Sequence, residues 1–285
     1  MPDMLKLLEE FTGGSIQDVV WSDPGVYALF ERADTLGIPE FGTDFMKDML
    51  LKIKPKSFYD LVQISGLSHG AEVWNDNSEN LLNDGRTLSE LPALRDAILL
   101  QLMRYGLERD SACQIAECAR RGKLFYDSER TVELVEHMRS KNVPEWYIQS
   151  LCKIRYLFPK AHSVHYVMNA VRMAWYKNYY PVEFYASVLT CDVNDSAYSS
   201  ILSKGKTEIE MELNKPDESW NENYRFTQRN YEKHILKLAL ECLDRGITFL
   251  PPDIHASDPL KYVPEDGNIR IPLLDQDNKE RGEKK

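Results

Sequence analysis

Residues Trp146–Val182 read WYIQSLCKIRYLFPKAHSVHYVMNAVRMAWYKNYYPV, and the rest of the chain is organised around them. The chain carries a formal charge of −10, yet this stretch contains no Asp or Glu. It does contain Lys153, Arg155, Lys160, Arg172 and Lys177. A long acid-free segment in an acidic protein suits a surface that faces an anion. Pro159 fits a helix entrance and not an interior. After it, Val164, Val167, Met168, Val171, Ala174 and Trp175 follow the spacing of an apolar helical stripe. His162, His165, Asn169, Arg172 and Tyr176 fall on the opposite, polar stripe. Lys160, His162 and Ser163 occupy the first turn, where unpaired amides and the positive end of the helix dipole favour phosphate. An ordinary amphipathic helix with solvated cations fits the same residues.

Length and composition set the frame. The 285 residues, 43% apolar, suffice for one large domain or two small ones. No apolar run approaches the ~20 residues of a membrane span, and MPDMLKLLEEF has no signal-peptide pattern. Cys113, Cys118, Cys152, Cys191 and Cys242 are scattered and form no CxxC pair, which fits a reducing cytoplasm. A pI of about 5.2 excludes a protein that coats nucleic acid, so any such contact is local.

Working outward, the spacing predicts a mainly helical chain. Helices are expected over 3–11, Asp23 to about Leu36, Asp44–Ile53, and from Ser57 into the mid-sixties. The sequence ISGLSHGAEVW (64–74) then interrupts the pattern. Such a loop offers free amides, hydroxyls and a stacking tryptophan, but taken alone it is better read as a plain helix–loop–helix connection with a core tryptophan. Further helices are expected over 78–83, 89–105, 110–121, 128–140 and 144–157, then Pro181–Cys191 and Asp195–Ser203. Arg95 and Arg104 read as surface pairing partners, and Arg120, Arg121 and Lys123 as a solvated helix C-terminus. Residues 1–203 form a helical domain on this reading, and 204–228 a polar linker. Residues 229–274 comprise a helix over Tyr231–Arg245 and short strands around an Asp-Gly turn at 266–267. Residues 275–285 form a charged, disordered tail.

No phosphate-loop, dinucleotide, zinc-protease or nucleophile-elbow motif is present. His162 and His165 are spaced for a metal, but no Cys or acid completes a set and basic neighbours repel a cation. The residues alone therefore describe an anion-binding helical protein without a complete active site.

Several long stretches resemble one family. GIPEFGTDFMKDML, KPKSFYDLVQISGLSHGAEVW, TLSEL, VPEWYIQSLCKIRYLFPKAH, YYPVEFYAS, LALECLDRGITF and DGNIRIP occur in order and spacing similar to the C-terminal part of PolC-type bacterial DNA polymerase III alpha subunits. The resemblance runs from Pro2 to about Pro272. It implies a polymerase fingers region that binds the incoming deoxynucleoside triphosphate (dNTP) and meets primer–template DNA at the nascent pair. It implies nucleotide contacts for Lys160 and His162, with Lys153, Arg155, Ser163 and Arg172 near by. Ser65, Gly66, Ser68 and His69 are implied to lie close to nucleotide and template. The metal-binding aspartates of that family lie on a palm segment, and no DxD in a palm-like context occurs here. Mg²⁺ is therefore expected with a palm-bearing partner and not on this chain. A sliding clamp and other replisome proteins are further implied partners; a membrane is not. His165 and the length of 204–228 depart from the family pattern. A non-catalytic nucleotide or single-stranded DNA binding module, or an inactive gene fragment, are the other readings.

Overall fold

A computed structural model describes residues 2–126, 128–192, 201–215 and 222–273. In chain order the helices are α1 (Pro2–Thr12), α2 (Pro24–Glu31), α3 (Asp44–Ile53), α4 (Phe58–His69), α5 (Glu79–Asn83), α6 (Arg95–Arg104) and α7 (Arg109–Arg120). They continue with α8 (Glu129–Ser140), α9 (Glu145–Lys153), α10 (Lys160–Tyr179), α11 (Pro181–Asp192), α12 (Lys206–Leu213) and α13 (Glu222–Asp244). Three short strands follow: β1 (Phe249–Leu250), β2 (Val263–Glu265) and β3 (Asn268–Arg270). The fold is thus mainly α with a small β segment, as the periodicities predict. The chain divides into two compact units, Trp21–Thr35 with Glu40–Val171, and Met1–Val20 with Leu36–Pro39 and Arg172–Lys285. The division falls inside α10.

In the first unit, side-chain caps set the starts of four of the eight helices α2–α9. Asp23, Thr43, Ser57 and Ser128 each accept an amide hydrogen bond at a helix start. α2 ends at Glu31, five residues before the expected Leu36. Ala33 adopts φ 56°, its amide bonds to Phe30 O and that of Asp34 to Leu29 O, a Schellman closure made without glycine. α6 starts at Arg95 rather than Ser89, because Thr87 and Glu90 close a separate short turn ahead of Pro92. α9 ends at Lys153 rather than residue 157. Ile154 turns extended there, and the chain bridges to Ala71.

The largest departure concerns 64–74. α4 runs on through His69, so Ser65, Gly66, Ser68 and His69 are helical and not in a loop. Ile64, Ser65, Gly66 and Leu67 are buried. Gly66 is there for close packing: a Cβ would lie 2.6 Å from Leu94 Cδ2 and 2.7 Å from Ala93 O. The chain turns only after Gly70. The kink Trp74–Ser78 is tied to α9 by a buried pair, with Ser150 Oγ donating to Asn77 Oδ1 at 2.6 Å and Asn77 Nδ2 donating to Ser150 O at 3.2 Å. Trp74 is buried.

In the second unit, α11 packs against α1, α13 and the strands, and α12 packs on α13. The sheet order is β1-β3-β2, with β1 parallel to β3 and β2 antiparallel to it. Asp266 (φ 48°) and Gly267 (φ 78°) make the tight turn expected from the Asp-Gly pair. Lys206–Leu213 is helical where the sequence shows a polar run, and buries Ile209. The expectations for Asp195–Ser200 and for 275–285 lie outside the described residues.

Lys177 corrects the solvated-cation reading. It is fully buried, its Nζ donating to Leu36 O at 2.9 Å and pairing with Glu241 at 2.6 Å. Tyr185 donates its hydroxyl to the same carboxylate. Burial first, and Glu241 second, push the Tyr185 hydroxyl far above the usual phenol range. Asn169 and Tyr176, placed on the polar stripe, are also buried. The faces of α10 are thus less distinct than the residue types suggest, since Val164, Met168 and Trp175 of the expected apolar stripe are only half-buried.

Candidate functional site

The site is built where one extended segment, Arg155–Leu157, is gripped from two sides. Ala71 donates its amide to Tyr156 O at 2.9 Å and accepts from Arg155 N at 3.0 Å. On the other side, Leu157 donates its amide to Arg120 O at 3.1 Å. Gly122, at φ 67°, lies so close that an added Cβ would fall 2.2 Å from Arg155 O. Both flanking contacts use residues just past helix ends, Gly70–Ala71 after α4 and Arg120–Gly122 at the end of α7. They fix where Phe158 and Pro159 emerge and hence where α10 begins.

That placement opens a cleft of about 620 Å³ at the first turn of α10. Lys160, Phe158, Arg95, Arg120, Arg121 and Glu117 line it, with Asp96 and Cys113. Four cations against two carboxylates leave it net positive within a chain of charge −10. Pro159 O accepts the amides of His162 and Ser163, both at 3.1 Å. The remaining first-turn amides, of Lys160 and Ala161, belong to residues that line the cleft.

Glu117 organises the arginines. It accepts from Arg120 Nε at 2.9 Å and Nη2 at 2.7 Å, and from Arg121 Nε at 2.5 Å. Arg95 Nη1 stands 3.8 Å from it and pairs also with Asp96 at 3.1 Å. The Arg120 hydrogen bonds foremost, with those of Arg121, hold the Glu117 carboxyl at about 2. Both carboxylates of the cleft are therefore committed to guanidinium groups, an arrangement that suits an anion and not a divalent metal.

A second cluster adjoins the cleft through Phe158. The His69 ring stacks on Phe158 with centroids 4.8 Å apart, and Phe158 lies 6.1 Å from Tyr166 and 5.9 Å from His162. His69 Nε2 meets Glu40 Oε2 at 3.0 Å, and Nδ1 lies 2.8 Å from Ser68 Oγ and 3.0 Å from Ser65 O. The two motifs singled out in the sequence, around His69 and around Lys160, thus meet in one unit.

Of the other expected residues, Ser163 is buried, and its hydroxyl points back to Pro159 O. Lys153 donates to Asp76 O at 2.7 Å. Arg155 is exposed and lies over the Phe125 ring at 4.2 Å. Neither lines the cleft. Arg172 falls in the second unit. Arg95, Arg120 and Arg121, which read as surface charges, are cleft residues. The only sequence signal for Arg120 and Arg121 is a basic run at a helix end, which also describes solvated termini, and Arg95 has none.

Comparison with known proteins places this architecture. Residues 1–101 match the finger domain of the bacterial DNA polymerase III alpha subunit. The chain is 38% identical over 287 aligned positions to a DNA polymerase III PolC-type of Thermotoga petrophila and 39% to that of Thermotoga maritima. It is 37% identical to that of Clostridium perfringens. Each match covers 95% of this chain but only 19–20% of the relative, so the chain spans about a fifth of the length of these polymerases. Among the described residues no helix is long and apolar enough to cross a membrane. Residues 1–101 belong to the finger-domain family of the bacterial DNA polymerase III alpha subunit, and the chain as a whole is related to the fingers-bearing segment of its PolC-type form.

Proposed function

We propose that this chain is the fingers portion of a replicative DNA-directed DNA polymerase, and that the cleft at the start of α10 holds the triphosphate of an incoming dNTP. The observation that carries this reading is the convergence of Lys160, Arg120, Arg121 and Arg95 on the first turn of one helix. Three helix ends supply them: the N-termini of α6 and α10 and the C-terminus of α7. Arginine forks match phosphate oxygens in pairs, and the α10 amides add oriented dipoles. In the free chain Glu117 occupies the arginines; a polyphosphate replaces it and leaves the guanidinium groups where they stand.

The chain's part in phosphoryl transfer is then positioning and charge stabilisation. The clamp aligns the α-phosphate and offsets charge that develops on the leaving pyrophosphate. The cleft, with both carboxylates held by guanidinium groups, does not fit a divalent metal. Mg²⁺ and its carboxylates come with a palm-bearing polymerase segment, which together with primer–template DNA and dNTP makes up the partners of this chain. His69, stacked on Phe158, links the nucleotide side of the fingers to the end of α4.

Titration with a fluorescent dNTP, with and without primer–template, tests the reading. Lys160→Ala and Arg120→Ala should each weaken binding about tenfold or more, the usual cost of one charge-assisted hydrogen bond. In a polymerase carrying this segment, Lys160→Ala should lower the rate on the order of 10²–10³. A change below about threefold in both measurements rejects the assignment.

A further inference from the structure

Glu40 does not line the cleft, yet its carboxylate holds a ring that stands beside it. His69 Nε2 meets Glu40 Oε2 at 3.0 Å. At the other end of the imidazole, Nδ1 lies 2.8 Å from Ser68 Oγ and 3.0 Å from Ser65 O. An ionised carboxylate only accepts, so this contact places a proton on Nε2 and excludes the neutral tautomer protonated at Nδ1 alone. Nδ1 then accepts from the Ser68 hydroxyl or, in the charged ring, donates to Ser65 O. The ring is therefore tied at both nitrogens. Phe158 stacks on it with planes 27° apart, and the Tyr166 ring lies parallel to it within 3° at 6.2 Å. Phe158 is the aromatic side chain that lines the cleft, immediately before Pro159 and Lys160.

The backbone under Glu40 is in an uncommon state. Its φ is 67°, in the left-handed region that favours glycine. Its neighbours hold it there. Phe41 is buried, packs its ring against Phe30 at 5.3 Å, and its carbonyl accepts the Thr35 hydroxyl at 2.6 Å. Strain of this kind persists only where the surroundings over-determine it, and it gathers at working sites. Folding offers little reason for a glutamate here. The His69 and Glu40 side chains are 27% and 32% exposed, and ion pairs so open to water add little to stability. What the carboxylate does supply is direction. It fixes one nitrogen, one tautomer and one plane of the ring against which the aromatic wall of the cleft is stacked.

We propose that Glu40 is a positioning residue that acts through His69 and Phe158 on the cleft at the start of α10. The hydrogen bond from Nε2 sets the plane of the His69 ring, and the stack carries that plane to Phe158. Phe158 in turn seats the chain that enters α10 at Lys160. Only the ligand, a dNTP, rests on the nucleotide reading; the hold on the ring does not.

Fluorescent-dNTP titration, nitrogen NMR of the His69 ring and urea denaturation of the full chain together test it. Glu40→Gly removes the carboxylate and at the same time suits φ 67°, so the urea midpoint should stay level or rise. Affinity for dNTP should nonetheless fall roughly three- to tenfold, and protonation at Nδ1 should appear in the spectra. Glu40→Gln still accepts from Nε2–H, so it should keep the wild-type tautomer and bind dNTP within about twofold of wild type. Affinity in Glu40→Gly within about twofold of wild type overturns the proposal. So does a urea midpoint that falls in step with affinity, which would make Glu40 a folding residue. A Glu40→Gln protein as weak as Glu40→Gly also overturns it, because charge and not the hold on Nε2 would then be the cause. A wild type that binds no dNTP overturns the nucleotide reading instead, and the His69 spectra then decide the hold of Glu40. An unaltered Nε2 proton in Glu40→Gly sinks it, and a shift to Nδ1 sustains it.

Discussion

Glu117 holds Arg120 at two points, 2.9 and 2.7 Å, and reaches Arg121 with the same carboxylate at 2.5 Å. A single acid therefore holds both guanidinium groups proposed to meet phosphate and offsets part of their charge in the free chain. Glu117→Gln removes that competing charge and keeps the side chain's shape. We expect dNTP or inorganic triphosphate to bind about two- to fivefold tighter, the range of one partly exposed ion pair. Calorimetric titration of both proteins decides it. Weaker binding by the variant would show that Glu117 serves to aim the guanidinium groups and does not compete with phosphate.

The same carboxylate gives the fold a pH dependence. Its value in the folded chain, about 2, lies below the ordinary 4.5. Its stabilisation is therefore complete above about pH 5 and is lost as acid protonates it on the way to pH 2. Screened by solvent, the contribution is about 1 kcal/mol. Urea midpoints should separate wild type from Glu117→Gln near pH 6 and converge near pH 2. A gap that is the same at both pH values would rule this out.

Lys177 is buried with Glu241 2.6 Å away, and removing one member of such a pair leaves the other charge poorly compensated. Lys177→Ala should cost about 3–5 kcal/mol of stability. Lys177→Met, which keeps the apolar stem, should cost less. Chemical denaturation of both variants checks the order; a loss under about 1 kcal/mol for the alanine variant contradicts it.

Gly122→Ala should harm both stability and the site. The added methyl falls on the Arg155 carbonyl at 2.2 Å, and φ 67° is unfavourable for alanine. We expect roughly 1–3 kcal/mol of destabilisation. Triphosphate affinity should drop as well, because the displaced segment carries Phe158 and Lys160. Full affinity in a folded Gly122→Ala protein would mean that the cleft does not depend on this contact.

Much of the helical layout was legible from caps and breakers. Asp23, Ser57 and Pro159 mark starts that the structure keeps, and the Asp266–Gly267 turn closes the hairpin expected of it. Those signals act within a few residues of backbone, so they need no tertiary contact. ISGLSHG misled because glycine beside serine reads as a loop. Gly66 is instead helical, chosen for its approach to Ala93 and Leu94, 27 and 28 residues further along the chain, and nothing local records that contact.

The sequence by itself determined a mainly helical chain, an acid-free segment with Lys160 at a helix entrance, and motifs specific enough to point to a polymerase family. Only the tertiary structure decided that Arg95, Arg120 and Arg121 join Lys160 while Lys177 is buried against Glu241. All five are basic residues on or beside helices, and their local sequence is compatible with solvent. Whether such a charge meets water, a carboxylate or a phosphate depends on which distant helix end is packed beside it, and that is fixed by the Ala71 and Arg120 grips on residues 155–157 and by the packing of α13.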